Sequence, residues 1–240
     1  MTPRLYVDVA LDAGLTLALP SAAVRHVQVL RLQPGDAVTL FNGRGGEWSA
    51  RIAAMTGRAV QTIVVERHAI ERELTRAVTL ALVMPAGDRM DFVVEKAIEL
   101  GADSIIPLMS DRSVLRLAGE RAQRRQAHWQ AIAVAACEQC GRNLVPQIQL
   151  PLALAAWLTT LAAPQAAQTR YLLAWRHAQP WAMYATASDV VVLSGPEGGL
   201  TPSEEDAARQ HGFVPTTLGP RVLRADTAPL AALAALSLAA

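Results

Sequence analysis

The residues of this chain that could do chemistry gather in two glycine-containing turns, each leading into a helix. The first follows the apolar run Val190-Val191-Val192-Leu193-Ser194 and reads Gly195-Pro196-Glu197-Gly198-Gly199-Leu200, with Thr201-Pro202-Ser203-Glu204 behind it. A buried strand, a backbone-lined loop and a capped helix predict a ligand site in an open α/β sheet. Gly195, Gly198 and Gly199 can take positive φ and let a ligand approach the main chain. Thr201 and Glu204 fit a capping box, with Pro202 at the first helical position. The loop lacks the Gly-Lys-Ser/Thr ending of a triphosphate loop and the G-x-G-x-x-G spacing of a dinucleotide site. Glu197 places a carboxylate where a phosphate would be repelled, so a neutral or cationic ligand fits better. An ordinary tight strand-to-helix turn accounts for the glycines equally well.

The second stretch, Leu218-Gly219-Pro220-Arg221-Val222-Leu223-Arg224-Ala225-Asp226-Thr227-Ala228, repeats this logic: a strand end, a Gly-Pro turn and a helix capped by Asp226 or Thr227. Arg221 and Arg224 stand near a helix start, where a cation opposes the macrodipole, so helix stability does not explain them. Surface arginines on a loop are the plain alternative. Glu138-Gln139-Cys140-Gly141-Arg142-Asn143 closes a long helix and, taken alone, is a glycine stop followed by polar residues.

The elements that must position these turns change character along the chain. Leu5–Val7, Ala37–Phe41, Glu47–Ile52 and Gln61–Val65 read as short strands, interrupted by one helix near Ser21–Leu30, and predict a small barrel. Arg25, His26, Arg31, Arg44, Arg51 and Arg58 lie there beside Phe41 and Trp48, as in an RNA-binding module. Eight arginines against six acids over residues 1–72 leave a surplus of only two, which a solvated surface explains as well. Ala69–Arg76 reads as a charged linker. Beyond it, strands at Val78–Val83, Ser104–Leu108, Tyr171–Trp175, Val190–Leu193 and Val214–Leu218 alternate with helices at Asp88–Leu100, Gly119–Gly141, Leu152–Leu161, after Thr201 and from Thr227. This alternation predicts an α/β domain with a mainly parallel sheet.

Bulk properties remove several function classes. The net charge of +1 gives no global case for nucleic acid, although Lys96 is the only lysine and the cationic side chains are otherwise arginines, the better phosphate fork. No apolar run reaches the roughly eighteen residues of a membrane span. Met1–Arg4 opens no basic-then-apolar signal segment, which predicts a cytoplasmic protein. Cys137 and Cys140 form a C-x-x-C with no second pair and no histidines at matching spacing, so no metal is expected. Placed at a helix end rather than a helix start, they read as structural thiols of a reducing compartment.

Taken together, Leu193–Leu200, Leu218–Arg224 and Glu138–Arg142 resemble the bacterial 16S ribosomal RNA uridine-N3 methyltransferases, of the SPOUT class of S-adenosylmethionine-dependent enzymes. Gly87–Asp91, Glu95–Gly101, Arg112-Ser113-Val114, His26–Arg31 and Gly43–Gly46 extend the resemblance over nearly the whole chain. It implies a PUA-like β-barrel over residues 1–70 and an α/β domain over 75–240 whose C-terminal segment forms a trefoil knot. It also implies a homodimer acting on 16S rRNA within the small ribosomal subunit. Carried over residue by residue, the S-adenosylmethionine pocket comprises Gly195, Pro196, Glu197, Gly198 and Gly199, with Leu218, Gly219, Val222 and Leu223 and the strand-end residues Leu173 and Ala174. Arg25, His26, Arg31, Arg44, Arg112 and Arg142 become the RNA contacts.

The resemblance sets a chemical problem. Uridine N3 is a poor nucleophile until its proton leaves, and it must lie in line with the methyl group in a dry pocket. A fixed guanidinium would stabilise the charge developing on the ring, Arg224 first and Arg221 second. Asp226 would accept the proton or hold an arginine in place. N3 lies on the pairing edge, so the target must be unpaired or flipped out. The family commonly reads Arg-Thr-Glu-Thr-Ala where this chain has Arg224-Ala225-Asp226-Thr227-Ala228, which puts the chemical role of Asp226 in doubt. A ribose 2′-O-methyltransferase of the same class and a non-catalytic RNA-binding module are the competing expectations.

Overall fold

Residues 2–57, 59–163, 168–181 and 189–238 are described by a computed structural model. Met1, Arg58, Ala239 and Ala240 lie outside them. Two compact units are present, Met1–Glu73 with Cys137–Val145, and Leu74–Ala136 with Pro146–Ala240. Cys137–Val145 therefore groups with the front unit rather than with the domain expected over 75–240.

In the first unit, β1 (Arg4–Tyr6), β2 (Thr16–Ala18), α1 (Ser21–Val29), β3 (Ala37–Phe41), β4 (Glu47–Thr56) and β5 (Ala59–His68) build a five-stranded sheet in the order β1-β3-β4-β5-β2. Only β1 and β3 run parallel. Along β5, Val60, Thr62 and Val64 are buried while Gln61, Ile63 and Val65 face outward, the period of two expected of a half-buried strand. Val24 and Val27 of α1 complete the core with Leu5, Leu40 and Ile52.

Ala69–Arg76 has no regular structure, as expected of a linker, but it is not a loose tether. Glu71 accepts a hydrogen bond from the Gly46 amide (2.5 Å), and Arg72 donates to Glu47 Oε2 (3.0 Å) and to the Gly141 carbonyl (2.8 Å). The same Glu47 oxygen accepts from Arg4 (2.5 Å) and Asn143 (3.2 Å). Burial alone would push the Glu47 carboxyl up, but donors from Arg72, Arg4 and Asn143 outweigh it and hold it below 4.5.

In the second unit, β6 (Val78–Val83), α2 (Arg89–Glu99), β7 (Ser104–Met109), α3 (Gly119–Cys140, whose last turn belongs to the first unit), β8 (Gln147–Ile148), β9 (Leu152–Ala153), α4 (Leu154–Thr160), β10 (Gln168–Leu173), β11 (Gln179–Pro180), β12 (Asp189–Ser194), α5 (Pro202–Gln210), β13 (Val214–Thr217) and α6 (Thr227–Leu238) follow. The sheet runs β11-β13-β10-β12-β6-β7-β8, with β9 also on β7, and all its pairings are parallel. Val190–Ser194 are buried, as the continuous apolar run of a central parallel strand requires.

α2 ends as its sequence predicts. Gly101 takes φ +95°, its amide bonds to Ile98, and the next amide, of Ala102, reaches back to Ala97 (2.9 Å), a Schellman closure. Two expectations need correction. The helix expected over Leu152–Leu161 starts only at Leu154, because Leu152 and Ala153 extend the sheet beside Leu108 and Met109. The strand expected over Tyr171–Trp175 stops at Leu173, releasing Ala174 and Trp175 into the loop beyond the sheet.

Candidate functional site

Register decides where the two turns go. Leu173, the last residue of β10, lies opposite Ser194 of β12 on one side and Thr216 of β13 on the other. The chain segments that follow these three strands therefore leave the same edge of the sheet side by side. On the far side of β12, Ser194 pairs with Leu82 of β6, and Val83 pairs with Leu108 of β7. The loops after β6 and β7 thus flank the Gly195–Leu200 turn from the opposite direction. Five adjacent strand ends in a parallel sheet surround one crevice.

That crevice is a cavity of about 640 Å³, within the range of small-molecule sites. Leu173, Ala174 and the whole run from Gly195 to Gly199 line it, as expected. Leu218, Val222, Leu223, Arg221 and Arg224 line it too. Gly219 and Asp226 are not on its wall. The sequence reading missed other wall residues, among them Arg89, Trp175, Arg176, Leu200 and Glu205.

The Gly195–Leu200 turn is held rigidly. Thr201 Oγ1 accepts from the Glu204 amide (3.3 Å), and Glu204 Oε2 accepts from the Thr201 amide (2.8 Å), completing the capping box. Glu204 Oε1 also accepts from the Asp111 amide (2.8 Å), tying the loop after β7 to the start of α5. Of the three glycines of the turn, only Gly199 has positive φ, at +67°. Gly195 serves by close approach instead, since a Cβ there would stand 3.3 Å from the Leu200 side chain and amide.

The arginines divide into two sets. Arg112 Nη1 donates to the carbonyls of Gly198 (2.7 Å) and Leu200 (3.2 Å). Its guanidinium thus shapes the glycine turn through Nη1, while the side chain stays exposed. Arg89 Nη1 donates to Glu197 Oε1 (3.3 Å), and its Nε lies 3.9 Å from Asp226 Oδ2. Glu197 Oε1 also accepts from the Ala86 amide (3.0 Å). Arg221 and Arg224, by contrast, are exposed on the cavity wall and pair with no carboxylate among the described residues.

The expected helix cap by Asp226 is not made. Its carboxylate accepts from Thr227 Oγ1 (3.2 Å) and faces Arg89, while the first amides of α6, Thr227 and Ala228, bond to the Arg224 carbonyl. The C-x-x-C pair consists of free thiols, and burial pushes that of Cys137 up to about 12. No group of three or more metal-ligating side chains occurs among the described residues.

In the first unit, Arg25 and Arg31 are exposed, and Arg44 is exposed while paired with Asp8 (3.1 Å). His26 is half-buried, 3.6 Å from Glu138. Arg142 overturns its expected role as an RNA contact. It is 3% exposed and its Nε donates to Glu73 Oε2 at 2.8 Å, with Nη2 on the same oxygen. A guanidinium enclosed in this way does not meet a phosphate.

Comparison with known proteins agrees with both units. Residues 19–65 match the RNA methyltransferase PUA domain, and residues 72–237 match the RNA methyltransferase domain. The ribosomal RNA small subunit methyltransferase E of Synechocystis is 33% identical over 240 residues, covering 98% of this chain and 77% of the relative. That of Bacillus subtilis is 31% identical over 234 residues, covering 95% and 91%. The crystal structure of the Neisseria gonorrhoeae ribosomal RNA small subunit methyltransferase E bound to S-adenosyl methionine is 37% identical with a TM-score of 0.91, over 98% of this chain and 96% of the other. A Legionella pneumophila methyltransferase in complex with the bound cofactor SAM is 33% identical with a TM-score of 0.93, over 100% and 98%. The chain belongs to the ribosomal RNA small subunit methyltransferase E family, in which a PUA domain precedes an RNA methyltransferase domain.

Proposed function

We propose that this chain transfers a methyl group from S-adenosylmethionine to N3 of a specific uridine in the 16S ribosomal RNA of the small subunit. The observation that carries this reading is one cavity walled both by the backbone turn Gly195–Gly199 and by the unpaired guanidinium groups of Arg221 and Arg224. The residues fit the cofactor. The volume suits it, Leu218, Val222 and Leu223 supply apolar surface, and the turn offers main-chain groups at a place where a Cβ on Gly195 would crowd Leu200. Glu197 and Glu205 give the wall carboxylates suited to a cation rather than a phosphate.

S-adenosylmethionine, when bound, supplies an electrophilic methyl group on a positively charged sulfur. The protein's part is to orient the uracil and to stabilise the negative charge left on the ring once the N3 proton has passed to solvent, and then to exclude water as N3 takes the methyl group. Arg224 holds that charge, with Arg221 beside it. Asp226 stands off the cavity wall against Arg89 and Thr227, which counts against a role for it as proton acceptor. The exposed Arg25, Arg31 and Arg44 of the first unit, with His26 beside them, and the exposed Arg112 of the second unit are the RNA contacts of the reading. A homodimer acting in the cytoplasm completes it; no described helix is long and apolar enough to cross a membrane.

The test is mass spectrometry of 16S rRNA from cells lacking the protein, where one N3-methyluridine should be missing and should return on complementation. Primer extension separates the ribose alternative, because an N3 methyl stops reverse transcription at the pairing edge and a ribose methyl leaves that edge free. Replacement Arg224→Ala should lower the methylation rate by at least about a hundredfold, with a much smaller effect on cofactor affinity. Equal loss of both would move Arg224 into the cofactor-binding group.

A further inference from the structure

Arg89 opens α2, 108 positions away from Glu197 in sequence, yet it meets both loops of the cavity. Its Nη1 holds Glu197 of the turn after β12, and its Nε faces Asp226, which follows Arg224 in the segment after β13. The register explains this meeting, since β6, whose end leads to Arg89, is the neighbour of β12. The contact with Glu197 is not a stability device. Side-chain exposures of 41% for Arg89 and 36% for Glu197 leave the charges screened by water.

The geometry points to a different purpose: Arg89 is a positioning residue that occupies Asp226 and so leaves Arg224 unpaired and available to the substrate. Asp226 is two residues from Arg224, and nothing else cationic among the described residues lies within ion-pair distance of its carboxylate. Without Arg89, Asp226 keeps only the Thr227 hydroxyl, and Arg224 becomes its nearest available counter-charge in sequence. A guanidinium captured by its own loop cannot stabilise charge on a base. This inference rests on the role given to Arg224 above.

Three replacements test it, with single-turnover methyl transfer as the kinetic readout and crystal structures as the second. In Arg89→Met the rate should fall about tenfold at saturating cofactor and RNA, while the melting temperature stays within about 2 °C of the parent. Its crystal structure should place Asp226 in hydrogen-bond contact with the Arg224 guanidinium. Adding Asp226→Asn to Arg89→Met should restore the rate to within about threefold of the parent, because the capturing charge is gone. Arg89→Lys, which keeps a cation at the site, should retain at least about half of the rate.

A double variant slower than Arg89→Met alone would overturn the inference, as would Asp226 staying away from Arg224 in the crystal. Loss in Arg89→Lys equal to that in Arg89→Met would do the same and stands in if the methionine variant does not fold. If the parent itself transfers no methyl group to ribosomal RNA, the functional reading fails, and the crystal structures still decide whether Arg89 keeps Asp226 from Arg224.

Discussion

Replacing Arg142 with methionine separates a structural arginine from an RNA-binding one. Arg142 and Glu73 have side-chain exposures of 4% and 13%, so solvent screens little of their attraction. Two guanidinium nitrogens share Glu73 Oε2, and Glu73 Oε1 has no hydrogen-bond partner. The carboxylate therefore depends on Arg142, and removing one partner of such a buried pair costs about 3–5 kcal/mol. For a chain of this size each kcal/mol lowers the melting temperature by about 2–4 °C, so Arg142→Met should melt roughly 6–20 °C below the parent. Removing both charges, in Arg142→Met with Glu73→Leu, should recover most of that loss, because an apolar pair leaves no buried ion behind. The assays are thermal melting by circular dichroism and filter binding to ribosomal RNA at two salt concentrations. If Arg142→Met melts within about 2 °C of the parent and its salt dependence of RNA binding becomes shallower by about one ion, then Arg142 touches RNA and the burial argument is wrong.

Three further outcomes follow from local geometry. Burial raises the Glu138 carboxyl above 4.5 against the Tyr6 amide and His26, which lower it. The folded state therefore holds that proton more tightly than the unfolded chain, and stability is lost as pH rises from 4.5 through the folded value. Glu138→Gln keeps an acceptor for the Tyr6 amide, so its melting temperature relative to the parent should rise between about pH 4 and about pH 7; a flat or falling difference refutes this. Gly199→Ala meets no atom within 4 Å, so its only cost is the left-handed backbone at φ +67°, about 1–2 kcal/mol. Calorimetry should show weaker S-adenosylmethionine binding in a protein that still folds, and unchanged affinity would mean that the turn tolerates the strain. At pH near 8, iodoacetamide should alkylate Cys140 and spare Cys137, whose thiol is pushed up to about 12. Equal labelling of the two by peptide mass spectrometry counts against that assignment.

Legibility followed the range of the interaction involved. Strands such as Val78–Val83 and Ala37–Phe41, helix α2 with its Gly101 stop, and the Thr201–Glu204 capping box all rest on neighbours within a few positions, and the structure places them where the sequence does. β2, β8, β9 and β11 have two or three residues each, too short for alternation to show, and exist because a neighbouring strand offers them hydrogen bonds. Arg142 was misread, and the hold of Arg112 on the glycine turn was missed, because a sequence gives the type of a side chain and not its partner. Glu73 stands 69 positions before Arg142, and the Gly198 carbonyl 86 positions after Arg112. Of the glycines of the turn, all expected to be able to take positive φ, only Gly199 uses it, because the backbone of the other two is set by packing that a single sequence does not display.

The cavity wall carries its charge in an uneven way that bears on its use. Five arginines line it, Arg89, Arg112, Arg176, Arg221 and Arg224, against two glutamates, Glu197 and Glu205. A sulfonium cofactor alone would not call for that surplus, and a positively charged ligand is repelled by it. The conflict eases once the partners are assigned. Arg112 is absorbed by the carbonyls of Gly198 and Leu200, and Arg89 by Glu197 and Asp226. The glycine turn itself is thus close to neutral and can hold a cation. The unabsorbed positive charge sits on Arg176, in the loop after β10, and on Arg221 and Arg224, in the segment after β13, where under the proposed reaction the polyanionic strand and the charge developing on uracil must both be met. Under the proposed reaction, two ligands of opposite charge can share one crevice because the arginines beside the glycine turn are already bound and those facing the substrate are not.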